Sequence, residues 1–188
     1  MKKIAIALLI ICFYTVAKAQ KYVPQFKAGS VITYTAHVRN LGQDVPLTLN
    51  LTSITDPVTM QWSIPGFGSG TYLISAKGMQ SGTRMALREP DMGATTQLKD
   101  DETLAVISKD SFNSLLTNKT FDLNKQTFTV ATDTETYSIN DKALDLIYAT
   151  TANGKTKLWI INNPAFPIIY KMTGGPFGID LTLSALKE

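Results

Sequence analysis

Val45–Ile64 reads VPLTLNLTSITDPVTMQWSI, and its alternation decides the fold. Leu47, Leu49 and Leu51 fall on one side of an extended chain, with Thr48, Asn50 and Thr52 on the other. Past Thr55-Asp56-Pro57, the residues Val58, Met60, Trp62 and Ile64 alternate with Thr59, Gln61 and Ser63. Successive side chains of a strand point to opposite faces, so a period of two with one apolar side describes a strand resting on a core. The tripeptide between the runs is turn-forming, and the two runs make an antiparallel hairpin.

The same pattern extends in both directions. SVITYTAHVR (30–39) sets Ile32, Tyr34, Ala36 and Val38 against Thr33, Thr35 and His37. PGFGSG (65–70) is a glycine-rich turn before the short strand TYLISA (71–76). The pattern then breaks: Lys77 to Glu102 contains glycines, a proline and no sustained period, and reads as an irregular segment. TLAVIS (103–108) reads as a strand again. DSFNSLLTNK (110–119) reads as one short helix, with Asp110 as N-cap and Phe112, Leu115 and Leu116 on one face. KTFDL, TFTVA and ETYSIN are short strand candidates. ALDLIYATTA and TKLWIINN flank Asn153-Gly154, a strong hairpin turn, and FPIIYKM and GIDLTLSAL flank a Gly-Gly-Pro turn. The count is about ten antiparallel strands with one or two short helices in a mainly β domain spanning 20–188.

LWIINNPAFPIIYKM (158–172) departs from one-sided alternation. Leu158 and Ile160 share one face, Trp159 and Ile161 the other, and all four are apolar. Both faces of this hairpin are therefore expected to be covered, with a helix of the same chain as the favoured cover for the second. Proline lacks a backbone N–H, so Pro164 and Pro167 place the start of the following strand at Phe166 or Pro167, near a sheet edge.

The first residues, MKKIAIALLIICFYTVAKAQ, have the form of a secretory signal peptide. Lys2 and Lys3 are the positive region, Ile4 to Val16 is uncharged and apolar, and Ala17-Lys18-Ala19 sets cleavage between Ala19 and Gln20. The apolar stretch is shorter than a spanning helix needs. Cys12 lies inside it and follows Ile11, unlike a lipoprotein cleavage box. The expected location is exported and soluble, periplasmic or secreted. The leader holds three of the 18 basic residues and none of the 15 acidic ones, so Gln20 to Glu188 has fifteen of each. No basic field remains for nucleic acid or anionic membrane. The mature chain has no cysteine, so its stability comes from burial.

Chemistry-bearing motifs are sparse. His37 is the lone histidine and falls on a polar strand face. Without cysteine or a second histidine, no zinc set is expected. GFGSG does not place serine as a nucleophile elbow requires, and no phosphate loop or dinucleotide fingerprint occurs. Asp100 to Glu102 reads as a solvated loop tip, and Asp145 and Asp180 as outward polar positions on strands. No cofactor is expected, and the chain reads as non-catalytic.

The strand order, the GSVITYTAHV start and the run from LWIINN through PAFPIIYKM to GIDLTLSAL resemble the half-barrel superfamily of bacterial envelope proteins, whose best-known members are the periplasmic lipoprotein carriers. The chain also resembles secreted proteins of the Bacteroidetes type. The resemblance implies a curved sheet, a half-barrel, whose concave face holds a lipid, acyl group or other apolar molecule. The apolar side chains expected to line that face are Met60, Trp62, Trp159 and Tyr170. Met79, Met85 and Met92 all lie in the irregular segment, where flexible thioethers would suit a lid. The competing readings are an envelope protein-protein interaction module with a filled core and, third, an envelope hydrolase.

Overall fold

A computed structural model of the chain describes residues 21–86 and 91–188, so the expected leader lies outside the described residues. In chain order the elements are β1 (Val31–Val38), β2 (Gln43–Ser53), β3 (Val58–Ile64), β4 (Gly68–Ile74), α1 (Ala76–Ser81), β5 (Arg84–Met85), β6 (Thr95–Gln97), β7 (Glu102–Thr103), α2 (Lys109–Thr117), β8 (Thr120–Leu123), β9 (Gln126–Val130), β10 (Ser138–Ile139), β11 (Lys142–Ala143), β12 (Leu146–Thr151), β13 (Lys157–Ile161), β14 (Ile169–Thr173) and β15 (Ile179–Lys187). Eleven strands form one open sheet in the order β6-β4-β3-β2-β1-β15-β14-β13-β12-β9-β8. The fold is mainly β, as the alternation implied. Every neighbouring pair in the large sheet is antiparallel except β4–β6, which is parallel. β10–β11 and β5–β7 form two separate two-stranded pieces.

Register carries the apolar residues onto one face. Leu49 lies opposite both Ile32 and Trp62, and Met60 opposite both Leu51 and Tyr72. Tyr34 lies between Leu47 and Leu183, and Leu158 between Ala149 and Met172. These side chains join Met79 of α1 and Phe112 and Leu115 of α2 in one continuous core. The helices thus cover the core face of the sheet. The intervening polar residues, Thr33, Thr48, Ser63 and Ser69 in one row, stand on the other face.

Four expectations require correction. Of the segment Lys77 to Glu102, the described residues 77–86 and 91–102 are tied into the fold through α1, β5, β6 and β7. Ser75 caps α1, its hydroxyl oxygen accepting from the Gly78 amide at 3.1 Å. Gly78 permits the approach of this helix to β7, since a Cβ there would stand 2.7 Å from the Glu102 carbonyl oxygen. The N-cap of α2 is Ser108, whose hydroxyl accepts from the Ser111 amide, and Asp110 occupies the first turn. TLAVIS is a strand only at its start, in β7, with an isolated bridge from Val106 to Ile168. Finally, β14 lies inside the sheet between β13 and β15. Pro164 and Pro167 both precede it, so the missing N–H groups fall outside the ladder.

Candidate functional site: an aromatic pocket on the outer face

The hairpin of β12 and β13 fixes the site. Its turn centres on Asn153-Gly154, with Gly154 at φ +66°, a conformation glycine adopts without strain. That turn places Tyr148 opposite Trp159, and the next strand places Lys171 opposite Trp159. All three stand on the outer face, because their neighbours Ala149, Leu158 and Met172 belong to the core face. A bulge between β13 and β14 inserts Tyr170 as an extra residue between Ile169 and Lys171. Its ring joins the outer cluster, 5.4 Å from that of Tyr137.

The second apolar face of the hairpin is covered by the strap 131–137, which has no regular structure, rather than by a helix. The Ala131 amide donates to the Tyr148 carbonyl at 3.0 Å, and the Tyr137 carbonyl accepts from the Leu144 amide at 2.8 Å. Between these ends, the indole N–H of Trp159 donates to an Asp133 carboxylate oxygen. The other Asp133 oxygen accepts from the Glu135 amide at 3.0 Å. The Tyr137 ring lies 5.8 Å from that of Trp159, and its hydroxyl donates to Glu135 at 2.6 Å. The Tyr148 and Trp159 rings are 4.9 Å apart. Lys171 Nζ sits 4.8 Å from the Trp159 ring centre and 5.2 Å from that of Tyr137, so a cation already rests on these rings.

Electrostatics follow from these contacts. The indole N–H of Trp159, then the Glu135 amide, hold the Asp133 carboxyl below its usual range. Burial first, then the hydrogen bond to Glu135, push the Tyr137 phenol well above its ordinary value. Burial also raises Tyr170. Asp133 is therefore an anion at neutral pH, and Tyr137 is a neutral donor.

Between the strap and β12–β13 lies a pocket of about 300 Å³. Tyr137, Tyr148 and Trp159 form its aromatic wall, with Asp133, Glu135 and Lys21 as its charged groups. The N-terminal segment borders it: Tyr22 bridges Leu144, and its amide donates to the Ala143 carbonyl at 2.7 Å. Further along, Asn163 holds the Pro24 carbonyl and Phe26 packs on Phe166, closing the far end of the hairpin.

The residues expected to line a site are divided by the fold. Trp159 and Tyr170 both pack on Tyr137, each 7% exposed, and of the two only Trp159 lines the pocket. Met60 and Trp62 are on the core face, 0% and 2% exposed. Met79 and Met85 are also buried in the core, whereas Met92 is 64% exposed beside Gly68. The methionines therefore do not assemble one lid, because α1 and the β5–β7 pairing carry the first two inward. Tyr137, Tyr148 and Asp133 are site residues that sequence reasoning missed. Counting outward from Asn153-Gly154 pairs Tyr148 with Trp159, a signal that was available.

Elsewhere, His37 makes an exposed 2.7 Å contact with Asp44. Asp145 accepts from Asn162 at 3.0 Å, and Asp180 takes the Arg39 guanidinium and the Gly174 amide. Among the described residues no group of three or more His, Cys, Asp or Glu could hold a metal ion. Among the same residues no helix is long and apolar enough to cross a membrane. Compared with known proteins, the chain matches no family model, no curated protein and no solved structure.

Proposed function

We propose that this chain is an exported, non-catalytic binding protein that takes a compact molecule with an apolar body in the pocket beneath the strap 131–137. The observation that carries the reading is the aromatic wall of Tyr137, Tyr148 and Trp159, held in place around an opening of about 300 Å³. Small-molecule sites combine apolar and aromatic walls with a few fixed polar groups, and their volumes begin near this size. The leader sequence supports export to the periplasm or beyond. The half-barrel resemblance supports carriage of an apolar molecule, but the enclosure of Met60 and Trp62 moves the proposed ligand to the outer face and favours a compact one over a long acyl chain.

One observation favours the alternative of a protein interaction module. Phe67 is exposed next to the turn where Met92 packs on Gly68, giving a small apolar patch at the β3–β4 end. Native mass spectrometry of protein recovered from a bacterial periplasm, followed by organic extraction, separates the two. A discrete small added mass, lost on Tyr148→Ala, is the expected result. An unliganded mass that stays unchanged after incubation with envelope extracts overturns the ligand reading and leaves the patch as the better one.

A further inference from the structure

We infer that the pocket recognises an organic cation, an alkylated ammonium group seated against the aromatic wall beside Asp133. The inference rests on the pocket being a ligand site and names the chemistry that the site selects. Three observations converge on it. The wall is built from the rings of Tyr137, Tyr148 and Trp159, and the quadrupoles of such rings attract cations. The protein already uses these rings that way, since Lys171 Nζ lies 4.8 Å from the centre of Trp159. In the row Tyr148–Trp159–Lys171, Trp159 stands between that internal cation and the pocket ring Tyr148.

The charges of the pocket agree. Among the lining residues Asp133 and Glu135 contribute two carboxylates and Lys21 one ammonium, one net negative charge at neutral pH, while Lys171 lies outside the lining, across Trp159 from Tyr148. Asp133 is oriented by the Trp159 indole and the Glu135 amide, and Glu135 by the Tyr137 hydroxyl, so neither carboxylate needs to reorganise for a ligand. An anion would meet acceptors and electron-rich rings. A neutral ligand would strip water from the carboxylates without replacing the lost interaction. A cation with methyl groups satisfies both components, the methyls on the rings and the charge beside the carboxylate.

The test uses the mature protein and two probes of equal shape, choline and its neutral carbon analogue 3,3-dimethylbutan-1-ol, followed by calorimetry. The expected result is saturable choline binding, at least about tenfold tighter than the analogue. Asp133→Asn should weaken choline by a similar factor and leave the analogue unchanged. Tyr148→Leu keeps the bulk and removes the π-face, and should weaken choline as well if Asp133→Asn proves unable to fold. Equal binding of the two probes overturns the cation while the ligand-site reading stands. A neutral molecule recovered in the periplasmic extraction has the same meaning. Absence of binding by either probe, together with an unliganded periplasmic protein, overturns both.

Discussion

Tyr34 is a strand residue with a polar tip placed where water cannot reach it. It is fully buried in β1, and its hydroxyl donates to the Ile169 carbonyl in β14 at 2.7 Å. The bond therefore spans β15, which lies between those strands. Burial raises the phenol far above its ordinary value, so it remains a donor throughout the stable pH range. Tyr34→Phe keeps the ring and leaves the Ile169 carbonyl without this donor. The expected loss is about 1–2 kcal/mol in urea unfolding, with no change in the folded β signature. A loss near zero would mean that water or a shifted donor reaches that carbonyl.

At the level of elements, the strap 131–137 behaves as a cover without secondary structure. Its two ends are pinned by backbone hydrogen bonds and its middle by Asp133 on Trp159. The Asp133 carboxyl titrates below its unfolded value, chiefly through the indole contact. Such a group contributes stability above the unfolded pKa and loses it as pH falls through the lower folded pKa. Asp133→Asn should therefore be less stable than wild type near neutrality, and the difference should vanish in acid. Urea unfolding followed by tryptophan fluorescence at a series of pH values measures this. A difference independent of pH would assign the effect to shape rather than charge.

The same elements show where sequence reasoning succeeds. The β2–β3 hairpin was legible because Leu47, Leu49, Leu51, Met60 and Trp62 all obey one period. The helix α1 was not: it has six residues including Gly78, too few for a helical period, and it forms from the Ser75 cap and the docking of Met79. The strap was illegible for a related reason. ATDTETY carries no apolar period, and its one anchoring ring, Tyr137, finds its place through tertiary contacts with Trp159 and Tyr170. The two-faced apolarity of β13 did show that a cover exists, but not which segment supplies it.

For the whole molecule, buried and half-buried tyrosines set an alkaline limit. Burial, aided by the Glu188 carboxylate, raises Tyr22 to about 12, and Tyr34, Tyr137 and Tyr170 are also raised. In the unfolded chain these phenols ionise near 10, while in the fold they keep their protons. A raised folded pKa gives stability that is fully present below the unfolded value and lost as pH rises through the folded one. The protein should hold its stability up to about pH 10 and lose it progressively toward pH 12. Phenolate absorbance should appear in step with loss of the β circular-dichroism signal. Early ionisation of all tyrosines in an intact fold would contradict the burial described.

The sheet order has a consequence for how the chain comes into being. β15 is the last strand in sequence, yet it lies inside the sheet, with β1 on one side and β14 on the other. β1 lies more than a hundred residues from that partner, so the two halves of the sheet, β6-β4-β3-β2-β1 and β14-β13-β12-β9-β8, meet only through β15. Joining them is a contact of long sequence separation and is correspondingly slow.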